Sequence, residues 1–200
     1  MSQSTVPTTN FEKFQTGNPV VRRLIDRFYA QVAEIVRTVP ARSALDAGCG
    51  EGETIARLEG ILPDEVAAID LNPEAAAYAA SRLPSARVEV GAIGELPYAA
   101  DSFDLVLCLE VLEHIEDPTP ALEDLVRVGR RDFVISTPDE PWFRLGSLMR
   151  GKYARTLGDH PEHVNHWTPS SLARFLDPHL EVLQVRRSLP WLVAHCRKRD

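Results

Sequence analysis

Cysteine is scarce in this chain, and its scarcity narrows the field at once. The three present, Cys49, Cys108 and Cys196, are odd in number and far apart. That spacing suits reduced thiols in a cytoplasmic protein, not a disulfide frame or a zinc knot. No stretch approaches the roughly eighteen consecutive apolar residues that a membrane-spanning helix needs. The opening MSQSTVPTTNFEKF has no charged segment leading into an apolar core, so no secretory signal is expected. Gly-Lys-Ser/Thr is missing too, which removes the triphosphate-binding loop. There is no internal repeat and no low-complexity tract.

What is there has ordinary soluble composition. Of 200 residues, 44% are hydrophobic and 26% charged, enough to bury a core without staples. The length fits an N-terminal arm over 1–18 and one domain over 19–200. The formal charge is -7, which argues against a nucleic-acid partner. It is unevenly spread. Residues 141–200 carry ten Lys/Arg against five Asp/Glu, while the first 140 carry twelve against twenty-four. A basic C-terminal third on an acidic body can draw in an anionic substrate.

Apolar residues at three and four spacing from Val21 to Val39 predict an amphipathic helix that ends at Pro40. Strands and helices then alternate. Strands are expected at 43–46, 65–70, 86–90, 103–109 and 132–136, and helices at 54–62, 73–83 and 118–128. The run Phe103–Leu109 is apolar but for Asp104, as suits a strand buried on both faces. Asn72 is a natural N-cap with Pro73 at the first helical position. Residues 138–167 break the rhythm and read as a substrate-side loop. Thr168-Pro169 opens a helix to Leu176, and 180–186 and 191–196 form an antiparallel pair. The class is α/β: a Rossmann-like three-layer αβα sandwich around a mostly parallel, seven-stranded sheet with an antiparallel last strand.

The chemistry-bearing stretch is Ala44-Leu45-Asp46-Ala47-Gly48-Cys49-Gly50-Glu51-Gly52. An apolar strand meets an acid and then a Gly-x-Gly turn, which permits close approach of backbone to ligand. The following helix should present its N-terminal amides to the same crevice. Twenty residues beyond Gly50, Asp70 ends the next strand, where a carboxylate can accept both hydroxyls of a ribose. The dinucleotide fingerprint asks for a third glycine where this chain has Glu53. Asp46 and Glu51 bracket the turn, and an acidic rim suits a cationic ligand better than a diphosphate.

With these features the chain resembles the class I S-adenosylmethionine-dependent methyltransferases. The resemblance rests on LDAGCGEGE (45–53), AIDLNPE (68–74), GAIGELPYAADSFDLVLCLEVLEHIEDP (91–118) and FVISTP (133–138). It implies S-adenosylmethionine as cofactor and S-adenosylhomocysteine as product. By that resemblance Asp46, Gly48, Cys49 and Gly50 line the methionine end, Asp70 holds the ribose diol and Leu71 lies beside the adenine. Ala92 and Ile93 face the adenine edge; many members carry Asp where this chain has Ala92. Leu109 and Glu110 flank the cofactor and the substrate mouth.

Methyl transfer from a sulfonium needs alignment and exclusion of water, and an oxygen acceptor also calls for a base. The imidazoles His114 and His163 are the candidate catalytic groups, because histidine accepts protons near pH ~6.5. His163 falls in DHPEHVNHW (159–167) with His160 and His166. Glu110, Glu113 and His114 also spell E-x-x-E-H. With a later histidine such as His163, that pattern resembles the metal-holding set of small-RNA 3′-terminal 2′-O-methyltransferases. It is equally found in metal-free enzymes, and the expectation is no metal. Around the first helix, Phe14, Arg22 and Arg23 are candidates to approach a substrate from above, while Tyr29 reads as a packing residue. Basic and apolar residues interleave over 141–155, a surface suited to an anionic or amphiphilic small-molecule acceptor. O-methylation of a saccharide- or quinone-like metabolite is the expected reaction. The alternatives are the RNA enzyme and a cofactor-binding regulatory protein without activity.

Overall fold

Parallel strands buried on both faces must be covered by helices on both sides, and the chain meets that demand in sequence order. A computed structural model describes residues 17–140 and 164–199. Residues 1–16 of the N-terminal arm, with Phe14, and most of the 138–167 loop, with His160 and His163, lie outside the described residues.

Helix α1 (Pro19–Thr38) is capped by the Asn18 side chain, which accepts from the Val20 and Val21 amides. It is followed by β1 (Ser43–Ala47), α2 (Glu53–Arg57), β2 (Glu65–Asp70), α3 (Pro73–Arg82), β3 (Ala86–Val90) and β4 (Phe103–Leu109). A single 3₁₀ turn at Leu112–His114 leads to α4 (Pro118–Val128) and β5 (Gly129–Pro138). The chain closes with α5 (Pro169–Leu176), β6 (Leu180–Ser188) and β7 (Trp191–Lys198). Asn72 and Asp117 cap α3 and α4, and a Thr168/Ser171 capping box opens α5.

The sheet order is β3-β2-β1-β4-β5-β7-β6. All pairs are parallel except the two made by β7, which runs against β5 and β6. The seven-stranded, Rossmann-like sandwich expected from the sequence is therefore observed. On one face α1 packs Ile25, Phe28, Val32 and Val36 against Leu105, Leu107, Val134 and Val193. Beside it, Ala79 and Leu83 at α3 close over Ala68 and Ile55. On the other face Leu122 and Leu125 of α4 and Leu172 and Leu176 of α5 meet Val106, Phe133, Ile135 and Leu192. Strand order reverses between β1 and β4, and a crevice opens there at the carboxyl ends of the strands.

Two elements differ from expectation by more than two residues at an end. Helix α2 is only five residues long instead of nine, because turns take over at Leu58 and Gly60 sits at φ +74°. So short a helix adds little dipole, and the glycine turn itself has to present the amides. Strand β5 runs from Gly129 to Pro138 and so extends beyond the five residues expected. Its polar ends, Arg130 and Arg131 before and Thr137 and Pro138 after, hide it from a hydrophobicity pattern. All three cysteines are free and buried.

Candidate functional site

The crevice starts from three glycines in the left-handed region: Gly48 at φ +81°, Gly50 at +52° and Gly52 at +79°. Other residues pay a steric cost there. At Gly48 a Cβ would also lie 2.4 Å from Val111 Cγ2. The turn is fastened to β2, since the Gly48 and Cys49 amides both donate to the Ile69 carbonyl, at 2.8 and 3.0 Å. Asp70 completes the fastening. One carboxylate oxygen accepts from the Gly50 amide at 2.7 Å, and the other from the Asn72 amide at 2.8 Å. Each oxygen keeps a second lone pair, so the carboxylate is held rigid and still has acceptor capacity for a diol.

Asp46 lies on β1 beneath this turn at 1% exposure, and its Oδ2 has no hydrogen-bond partner. Burial, with repulsion from Asp70 second, pushes its carboxyl up to about 7. Burial also raises Glu51, and it pushes the Cys49 thiol so far up that the thiol stays protonated.

A cavity opens above the turn. Its floor is Gly48, Cys49, Gly50 and Glu51, with Glu53 and Thr54 at the start of α2. Ile25, Phe28 and Tyr29 of α1 form one wall; Leu109, Glu110 and Trp191 close the other side. The rings of Phe28 and Trp191 lie 5.2 Å apart at 53°, and Phe28 meets Tyr29 edge-on at 5.1 Å. Burial, the largest influence, pushes the Tyr29 phenol well above its ordinary value, so it remains a neutral donor. Glu110 has φ +61°, unusual for a residue with a side chain. Its amide donates to the Ser136 carbonyl and hydroxyl, and the Ser136 hydroxyl donates to Glu110 Oε1 at 3.0 Å.

The sequence-predicted residues divide into those that meet and those that stand apart. Gly48, Cys49, Gly50, Leu109 and Glu110 line the cavity; Asp46 and Asp70 lie beneath or beside the turn. Leu71 is 73% exposed at the rim. Ala92 and Ile93 follow β3, where the Gly91 amide donates to the Asp70 carbonyl. His114 is half-exposed in the 3₁₀ turn, its Nε2 3.9 Å from Glu113 Oε1, and is not among the cavity-lining residues. Glu113 is buried, and its carbonyl receives the Val164 and Asn165 amides. His166 Nδ1 lies 3.3 Å from Glu140 Oε1. Among the described residues no three His, Cys, Asp or Glu side chains form a group suited to a metal ion.

Sequence reasoning missed Ile25, Phe28 and Trp191. The first two were absorbed into the apolar stripe of α1. Trp191 carried a usable signal: an antiparallel β7 must start beside the end of β5, and Trp191 does pair with Pro138 at the carboxyl edge. Tyr29 packs as expected and also faces the cavity.

A parallel sheet with this order, a glycine turn fastened by a carboxylate at the next strand, and a crevice at the strand reversal define a nucleoside-binding Rossmann-like domain. Residues 45–135 match the family described as "Methyltransferase domain". The chain is 33% identical over 172 residues to a ubiquinone biosynthesis O-methyltransferase of Xanthomonas campestris, covering 80% of this chain and 67% of that one. It is 31% identical over 148 residues to a probable S-adenosylmethionine-dependent methyltransferase of Mycobacterium tuberculosis, 72% of this chain and 50% of the relative. The chain thus spans about half the length of the mycobacterial relative. Among solved structures, magnesium protoporphyrin IX methyltransferase from Synechocystis with bound S-adenosylhomocysteine shares the fold at a TM-score of 0.69 and 17% identity, covering 96% of this chain and 95% of that one. The chain belongs to the class I S-adenosylmethionine-dependent methyltransferase superfamily.

The donor set fits that family's cofactor. Close-approach glycines, a rigid Asp70 carboxylate and an unpartnered Asp46 oxygen suit a nucleoside carrying positive charge. No helix among the described residues is long and apolar enough to cross a membrane.

Proposed function

We propose that this chain transfers the methyl group of S-adenosylmethionine to an oxygen of a small, flat, largely apolar acceptor of the quinone-precursor kind. The observation that carries this reading is the aromatic pair of Phe28 and Trp191, in contact with each other and lining the same cavity as the glycine turn. Flat π-surfaces bind well against such rings, whereas a saccharide would leave its hydroxyls facing apolar groups. The ubiquinone-pathway relative from Xanthomonas points the same way.

The bound cofactor supplies an electrophilic methyl on a sulfonium. Asp70 holds the ribose diol, and the backbone at Gly48 and Gly50 admits the methionine end. Asp46 offers negative charge beneath the cation. Leu109, Ile25 and Phe28 exclude water from the line of transfer. Glu110, fixed by Ser136, stands at the mouth between cofactor and acceptor. The proton of the acceptor hydroxyl passes to an imidazole, with His114 and His163 as the candidates.

The test is transfer of labelled methyl into cell extract split into RNA, protein, lipid and small-molecule fractions, with and without chelator. Label in the small-molecule or lipid fraction that survives chelator is expected. Label in RNA that vanishes with chelator, or cofactor binding without transfer to any fraction, would overturn the reading.

A further inference from the structure

The floor and the wall of the cavity come from different parts of the chain, and one side chain joins them. Arg57 ends α2, the short helix that carries Glu53 and Thr54 of the floor. Its Nε donates to Glu53 Oε1 at 2.6 Å, and its Nη1 donates to Asp26 Oδ1 on α1 at 2.8 Å. The guanidinium carbon stands 5.0 Å from the centroid of the Tyr29 ring, one residue beyond Phe28 on the same helix. Beside it the Tyr29 and Thr54 hydroxyls lie 3.4 Å apart, a long contact that adds little by itself. Only a planar guanidinium can grip two carboxylates and cover an aromatic face at once; an ammonium is a single point of charge.

We propose that Arg57 is a positioning residue, latching the acceptor wall on α1 to the cofactor floor on α2. The inference rests on the reading of the cavity as the place where acceptor meets cofactor. The rest of α1 does not need the latch. Val32, Ile35 and Val36 keep their apolar seat on the sheet, and Arg186 pairs with Glu34 farther along the helix. What the latch sets is the height of the first half of α1, and so the gap in which a flat acceptor lies. Its ion pairs are partly exposed, so salt should loosen the wall.

Arg57→Ala, Arg57→Lys and Asp26→Asn test this in the full chain by three readouts. These are amide hydrogen exchange along α1, S-adenosylhomocysteine affinity by calorimetry, and methyl transfer to 3,4-dihydroxybenzoate as the acceptor probe. Arg57→Ala is expected to raise exchange in the first half of α1 about tenfold, with amides of β1 and β4 unchanged. The acceptor KM should rise about fivefold with kcat nearly constant and product affinity unaltered. Arg57→Lys should recover part of this. Asp26→Asn, on an exposed side chain outside the cavity, should reproduce the exchange change and add nothing in the Arg57→Ala background. Unchanged exchange in both Arg57→Ala and Asp26→Asn overturns the latch. Product affinity falling in step with the exchange change would also overturn it, by showing that α2 as a whole has lost its place. If Arg57→Ala fails to fold, Asp26→Asn decides alone. Wild-type protein inactive on every flat acceptor would sink the functional reading, while the exchange data would still decide whether α1 is latched.

Discussion

The two halves of the crevice are built on opposite principles. The cofactor half, from β1 to β3, is local and costly: three left-handed glycines, which give up much chain freedom on folding, and a buried carboxyl lie within seven residues. Asp70 holds that turn from the end of the neighbouring strand. The acceptor half is long-range and relaxed. Ile25 and Phe28 reach it from the first helix and Trp191 from the last strand, more than 160 positions away, and they meet as ordinary apolar packing. A ligand that every member of a superfamily shares can be served by a short, costly turn. A ligand that differs among members is better served by side chains whose exchange leaves the backbone alone.

If the cofactor half depends on that one turn, changes there should have the largest effects. The largest effect expected is from Asp46. Its carboxyl is raised to about 7 when folded, well above the ordinary aspartate value, so the folded protein binds that proton more tightly than the unfolded chain. The stability tied to the neutral acid is fully present below pH ~4 and is lost as pH rises to about 7. The loss amounts to about 4 kcal/mol, which for a chain of this size is a fall in Tm of about 10 °C. Melting of the cofactor-free protein from pH 4 to 7, beside Asp46→Asn, checks it: the wild type should lose this increment and the amide variant should not. Equal slopes would mean that Asp46 is already ionised in the folded protein.

Next in size is Asp70. Removing it frees two backbone amides as well as the ribose acceptor, so Asp70→Ala should weaken S-adenosylhomocysteine binding about 100-fold by calorimetry. Affinity within a few-fold of wild type would show that the glycines alone hold the nucleoside. Gly48→Ala follows. A left-handed alanine pressed against Val111 should cost about 2 kcal/mol, read as a fall in Tm of about 6 °C. Unchanged Tm would mean that the Val111 side chain simply swings aside.

The same contrast explains what could be read from the sequence. The turn, Asp70 and the succession of strands and helices were legible because each depends on neighbours in the chain: a glycine where φ is positive, an acid at a strand end, an apolar run between them. The length of α2 was not, since the helix stops at Arg57 while the apolar spacing runs on through Leu58, Ile61 and Leu62. Phe28 was visible only as a helix-face residue, for nothing local distinguishes a ring that packs from one that packs and also walls a cavity. His114 was chosen for its chemistry, and its side chain is half in solvent. His163 lies in the part of the chain where sequence had least to say, outside the described residues.

The smallest effect expected is also the one that most directly divides the halves. Phe28→Leu keeps most of the buried volume and removes the ring that faces Trp191. The relaxed half should absorb this with little loss of stability, on the order of 1 kcal/mol, and product affinity should not move, because Phe28 does not touch the glycine turn's hydrogen bonds. The acceptor KM should still rise, about fivefold, in line with the worth of one aromatic contact beyond its area. The rise should be confined to flat acceptors such as 3,4-dihydroxybenzoate. An equal rise for a sugar acceptor would mean that the wall only keeps water out, and choice of acceptor would then have to come from elsewhere around the mouth. A loss of product affinity in step with acceptor KM would erase the division itself, since a side chain of the acceptor half would then be holding the cofactor.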